Sequence, residues 1–323
     1  MTSVPSGYFT TGTNTPTAST KRVAVDNQYL TADDYILTPE AIGMNITNTH
    51  VLYTSKQLDK IILRASSWVN RYCGRYFDTQ TIDETKTGIT IRPANPRLVT
   101  VNLQNAPYQS INSIYIQVLK WFIEIDTSSA TGYLQDFPDY GYYKIVPMLS
   151  NSGAGVSSPL PAAIVDKTPL GILWTNYTFG FGKTMTAQTL FPGTTDGTQK
   201  TFQAPVGNRL WAPDQTSAVY LDAVAVATTD YVIDYPNGKI TFATAPTTGK
   251  AITADFTTNE TIPEDIRYAV QLLVTDMLAR GLQNPMGLDS MNITSYNVSY
   301  GTSVIDRVKE TLNPYKRNQF RFI

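Results

Sequence analysis

The sequence predicts an α+β protein: a helical core carrying an antiparallel β-sheet region, with a small all-β sandwich or barrel inserted as a module. Three observations predict it. Apolar residues recur at helical spacing near both ends of the chain, from Leu58 to Tyr76 and from Ile266 to Leu278. Between them lie short β-branched and aromatic runs broken by Gly, Pro, Asn and Asp. Within that β-rich part, residues 183–256 form a self-contained series of strands and turns. At 323 residues, 42% of them hydrophobic, the chain exceeds the size at which one core keeps growing and can fill more than one.

Residues 1–28 are Thr, Ser, Gly, Asn and Pro with few apolar anchors, and are expected to form a flexible arm. "LTADDYIL" predicts a short helix capped by Thr31. The next stretch, "TSKQLDKIILRASSWVNRYCGRYF" (54–77), opens with a capping box of Thr54 and Gln57 and a staple of Tyr53 and Leu58. On a helical wheel Leu58, Ile61, Ala65, Trp68, Val69, Tyr72 and Tyr76 form the inward stripe, with Ile62 and Cys73 at its edge. Lys56, Lys60, Arg64, Arg71 and Arg75 gather on another face. That face reads as a solvated surface, a protein interface or a nucleic-acid path.

From Thr81 to Gly182 the runs "GITIR", "RLVTVNL", "INSIYIQ", "KWFIEID", "YYKIVP" and "LGILWTNYTF" predict strands of an antiparallel sheet, interrupted by a loop at "SNSGAGVSSPLP". In the module, Asn237-Gly238 marks a hairpin. Helical spacing returns at Pro263 and runs to Arg280-Gly281. A last helix covers Ser303 to Leu312, with Val304, Ile305, Val308 and Leu312 inward and Asn313-Pro314 as its stop. Residues 29–182 and 257–312 are therefore expected to form one discontinuous core, and 313–323 a tail.

Catalytic chemistry finds little support. A formal net charge of −1 gives no global attraction to nucleic acid or membrane. With one cysteine and one histidine, Cys73 and His50, neither a disulfide framework nor the usual zinc, haem or iron–sulfur ligand sets can be assembled. "GFGKT" (180–184) ends like a phosphate-binding loop, but Tyr177 stands where that loop needs glycine. The pairs Asp33-Asp34 and Asp136/Asp139 lack partnering motifs, and no nucleophile elbow accompanies His50. The expectation is a protein that is not an enzyme, without catalytic, cofactor or metal residues. It has neither a leader-like start nor eighteen apolar residues in a row, and is expected to be soluble and used without export.

The tail "YKRNQFRFI" alternates Lys316, Arg317 and Arg321 with Tyr315, Phe320, Phe322 and Ile323. It reads as a docking peptide, the alternative being that it packs back onto its own core.

"WVNRYCGRYF", "APYQSINSIYI" (106–116), "YTFGFG", "IPEDIRYAVQLLVTDMLA" and "YNVSYG…VIDRVKETLNPYKR", in that order, resemble tailed-phage head–tail connector (adaptor, head-completion) proteins. The likeness covers about 29–182 and 257–317. The resemblance implies a virion neck protein that assembles in the host cytoplasm as a ring, commonly of twelve subunits. Such a ring sits beneath the portal protein, extends the DNA channel and offers a platform to the next neck or tail protein. It also implies that the C-terminal tail enters the portal and that the basic helix face meets a neighbouring subunit or the portal. The module resembles those of phage tail and fibre proteins, and could receive fibres. The alternatives are a tail or fibre-attachment component and, more remotely, a carbohydrate-binding protein or enzyme.

Overall fold

The computed structural model describes residues 22–43, 55–89, 99–118, 121–125, 134–140, 142–145, 170–213, 215–283, 290–293, 296–299 and 303–317. The N-terminal arm to residue 21, His50, the proposed cap at Thr54, the loop at 150–161 and Phe320–Ile323 lie outside the described residues. Contacts divide the chain into two compact units, one of Met1–Ala24 with Gln80–Gly180, the other of Val25–Thr79 with Phe181–Ile323.

The first unit is β-structure. Strands β1 (Gln80–Ile89), β2 (Val99–Asn102), β3 (Tyr108–Val118), β4 (Trp121–Ile125), β5 (Leu134–Phe137), β6 (Tyr142–Ile145) and β7 (Leu170–Phe179) build two sheets, ordered β1-β7-β3-β4 and β2-β6-β5. All described pairings are antiparallel, as the sequence predicts. β7 matches its predicted run end to end, whereas β5, "LQDF", has too little β-branched character to be read from sequence. Two buried polar pairs lie inside this unit: the Tyr177 hydroxyl donates to Glu84 Oε2 at 2.7 Å, and Tyr143 meets Thr175 at 2.5 Å. Burial, with the Glu84 charge beside it, pushes the Tyr177 hydroxyl far up and keeps it a donor.

The second unit joins helices to the module. α1 (Ala32–Ile36) starts where Thr31 Oγ1 accepts the Asp34 amide at 2.9 Å, the predicted cap. α2 (Pro39–Gly43) follows, then α3 (Ser55–Cys73), which ends at Gly74 with φ +69°, a left-handed stop suited to glycine. α4 (Glu264–Gln283) runs slightly beyond its expected end at Arg280-Gly281, and α5 (Ser303–Leu312) has its predicted bounds. Leu58, Ile62, Ala65, Val69 and Cys73 of α3, Ile266, Val270, Leu273 and Val274 of α4, and Val308 and Leu312 of α5 share one core. Each Leu, Ile or Val side chain so buried contributes about 1.5–3 kcal/mol.

The buried stripe of α3 is turned from its wheel position. Ile62 and Cys73, expected at the edge, are 0% and 1% exposed, while Ile61, Trp68, Tyr72 and Tyr76 are only half-buried. The cause is the segment before α1. The Tyr29 amide donates to Ser66 Oγ at 3.1 Å and its hydroxyl to Asn70 Oδ1, so a polar flank of α3 is covered as well.

The module's strands are β8 (Lys183–Thr194), β9 (Thr201–Gln203), β10 (Ala218–Leu221), β11 (Val224–Ala225), β12 (Tyr231–Asp234), β13 (Lys239–Phe242) and β14 (Ala251–Thr258). They make one curled antiparallel sheet, ordered β11-β10-β14-β8-β9-β13-β12, around Leu190, Phe202, Trp211, Ile240, Ile252 and Phe256. The predicted turn lies between β12 and β13, with Gly238 at φ +54°. β8 and β14 pair from Lys183↔Thr258 to Thr194↔Ala251 and form the two-stranded stem of the sheet, flanked by β9 and β10. A hairpin not read from the sequence, β15 (Ser290–Ile293) with β16 (Tyr296–Ser299), precedes α5.

The glycines of "GFGKT" serve a crossing. Gly182 donates its amide to Thr79 Oγ1 at 2.6 Å, and a Cβ there would sit 2.0 Å from that oxygen and 2.8 Å from Thr257 Cγ2. Gly182→Ala is therefore expected to destabilise the protein by about 1–3 kcal/mol. Gly43→Ala, with nothing within 4 Å of the added atom, serves as the control. Denaturant melts of both variants check this, and equal stabilities would refute the crossing's tightness.

Candidate functional site on the first long helix

The residues that suggested chemistry are mostly accounted for by structure. Asp33 pairs with Arg209 at 3.3 Å and Lys239 at 3.7 Å, so it ties α1 to the module. Asp34 accepts from Thr31 and faces Arg267 at 3.9 Å, and Arg267 also holds Glu260 at 3.1 Å. Burial nevertheless pushes the Glu260 carboxyl up, against the pull of Arg267. Asp136 lies on β5, and Asp139 is exposed in the turn after it. Among the described residues no group of His, Cys, Asp and Glu could hold a metal ion. Lys183 of "GFGKT" is exposed at the start of β8, a strand rather than the helix a phosphate loop would open.

Cys73 is a core residue. Burial raises its thiol to about 11, against the pull of Arg75 and Lys316.

Of the basic residues read onto one face, Lys56, Lys60, Arg64 and Arg71 are exposed along α3. Arg71 donates to Ser67 Oγ at 3.3 Å. Arg75 leaves the row, because the chain turns at Gly74. It is half-buried with its guanidinium 4.9 Å from the centre of the Phe77 ring, and loss of solvent lowers its pKa. Beside the row, Trp68 and Tyr72 stack with ring centres 5.3 Å apart. A shallow hollow of about 380 Å³ opens over Asp26, Leu63, Arg64, Trp68, Arg71 and Met277.

The first tail residues are held by the chain itself. Tyr315 packs edge-on against Phe77 at 6.1 Å and donates its hydroxyl to Asp265 at 3.0 Å. The Lys316 ammonium lies 4.4 Å from the centre of the Tyr72 ring, and the Arg317 amide donates to the Cys73 carbonyl at 2.8 Å. Tyr315 to Arg317 thus close the C-terminal end of α3, the packing-back alternative for these three residues, with the Lys316 and Arg317 side chains left exposed. Phe320, Arg321, Phe322 and Ile323 lie outside the described residues.

No protein-family model and no curated protein matches the chain. Among solved structures it is similar to a chain from the neck of an empty gene transfer agent (GTA) particle computed with C6 symmetry. There the TM-score is 0.37 and the identity 11%, over 88% of this chain and 92% of that one. A chain from the virion of a native GTA particle matches with TM-score 0.38 and 11% identity, over 92% and 93%. Likeness at this level assigns neither fold nor role.

A second surface was not read from the sequence. On the module, Phe191 and Val206 are 74% and 69% exposed and border an open hollow of about 580 Å³ with Gln199, Gln203 and Pro205. Strand alternation could have flagged Phe191, since Leu190 beside it is fully buried.

The Cys73 geometry predicts that the thiol resists alkylation at pH 8 in the native protein and reacts fully once unfolded. Because its folded-state value lies above the ordinary ~8.5, the stabilisation from the neutral thiol is complete below that value. It is lost as pH rises through about 11. Rapid native labelling would show that the site opens.

Proposed function

We propose that the chain is a structural neck component of a tailed-phage-like particle, a head–tail connector that assembles as a ring, commonly of twelve subunits in the family it resembles, beneath a portal protein. The observation that carries this reading is the convergence of three resembling segments, up to 240 positions apart, in one core. "WVNRYC" closes α3, "PEDIRYAVQLLVTDMLA" builds α4 and "VIDRVKETL" builds α5. The pair Asp33-Asp34 opens α1 and forms ion pairs with Arg209, Lys239 and Arg267, and the chain is read as a structural protein and not an enzyme. No described helix is long and apolar enough to cross a membrane. A second reading, a tail or fibre-attachment component, draws on the exposed Phe191 and Val206 of the module.

Negative-stain imaging with mass determination on the purified chain separates these readings. A ring with a central hole is expected, a trimer or elongated particle would favour the fibre reading, and a monomer at all concentrations would overturn the ring. Because Tyr315, Lys316 and Arg317 belong to the fold, the informative truncation removes only Asn318–Ile323. Its product is expected to keep the parental melting temperature and to lose co-sedimentation with portal-bearing heads. Undiminished co-sedimentation would refute portal docking by the tail.

A further inference from the structure

The outer side of α3 carries more positive charge than the fold uses. At about 100° per residue, Lys56, Lys60, Arg64 and Arg71 fall within a strip about 80° wide, centred opposite Ile62 and Val69. From Lys56 to Arg71 the strip is about 22 Å long. All four side chains are exposed, and among the described residues none forms an ion pair with a carboxylate. Asp26 reaches into the strip beside Arg64 and Arg71, its two oxygens accepting hydrogen bonds from Ser67 at 2.7 Å and Asn70 at 2.8 Å, and offsets one of these positive charges. Lys316 and Arg317 are exposed beside the helix's C-terminal end and add to the charge.

We infer that this strip is a phosphate-binding track for duplex nucleic acid, held without reading its sequence. Two arguments favour a duplex over an acidic protein face. The buried centre of a protein interface is depleted in charge and anchored by apolar groups. Here four cations run in a row, and the apolar groups are Leu63, 36% exposed, with half-buried Trp68 and Met277 at the flank. Covering the strip with protein would desolvate the cations with little apolar area in return, and would demand carboxylates at matching positions. A duplex presents one charge per about 1.7 Å of its axis, so flexible Lys and Arg stems find phosphates in any register. The contact also stays wet, which avoids the desolvation cost.

With a net charge of −1 on the whole chain, affinity for a polyanion must come from such a local surface, which makes the test sharp. Two labelled duplexes of unrelated sequence are titrated with the full chain by fluorescence anisotropy across salt concentrations. Four phosphate contacts give a slope of log K against log salt of about −3.6, or a loss of about 10²-fold between 50 and 200 mM. Arg64→Ala reduces the slope by about 0.9. K60E/R64E abolishes binding while its melting temperature and assembly state stay those of the parent, and the two duplexes bind alike.

Absence of binding at about 50 mM salt overturns the inference. So does K60E/R64E binding like the parent, or dispersing the assembly, which would make the strip a subunit contact. The inference stands on α3 alone. A monomer that binds duplex keeps it while overturning the ring, and a ring that ignores duplex does the reverse.

Discussion

The helical unit depends on a buried polar knot at the point where the chain leaves α3. Asp78, Thr79 and Asn259 are all but fully buried, and Thr79 donates its amide to Asn259 Oδ1 at 2.9 Å while its hydroxyl receives the Gly182 amide. Asn27 Nδ2 donates to Asp78 at 2.6 Å, and the Tyr29 hydroxyl bridges Asn70 and the Phe77 amide. Four stretches of chain, distant in sequence, are thereby fixed at one place. A buried donor or acceptor left without its partner costs about 1–3 kcal/mol, so each bond in the knot specifies its neighbours more than it adds net stability. Burial and the Asp78 charge raise the Tyr29 hydroxyl well above the usual tyrosine range, which keeps it neutral and able to donate.

Around that knot the two kinds of structure are joined by charge rather than by a shared apolar surface. Asp33 and Asp34 begin a short helix and, with the same carboxylates, hold Arg209, Lys239 and Arg267. Arg267 is 18% exposed and Asp33 39% exposed, so the inner member of this set is screened less by solvent than the outer one. The set orients the module on the helices. Trp211 stacked on Phe256 at 4.0 Å supplies the apolar filling beneath it.

Much of this was legible in the residues, and the failures are instructive. The Thr31 cap, the bounds of α5, the whole of β7 and the Asn237-Gly238 turn follow from local chemistry alone. The rotation of the α3 stripe was not legible, because Ser66 and Asn70 look like surface until Tyr29 covers them from another part of the chain. Arg75 was read onto the basic face because a wheel continues past a helix end, whereas Gly74 turns the backbone away. The strip of four cations survived that correction because each lies within the helix, before the turn at Gly74. The sequence does not choose between docking and packing back for Tyr315, because its partners, Phe77 and Asp265, are far off in it.

The stem formed by β8 and β14 has a mechanical consequence. The two strands share both ends, Lys183 beside Thr258 and Thr194 beside Ala251, with β8 following β7 and β14 preceding α4. A pull on the module along this ribbon is carried by two covalent backbones in parallel, and the hydrogen bonds between them are neither peeled nor sheared. The weak elements under tension are instead the contacts at the base, where Gly182 meets Thr79 and Asp33 meets Arg209. Whatever the module is attached to, force reaching it along these strands is delivered at that base, into the segments after β7 and before α4, while the two strands remain paired.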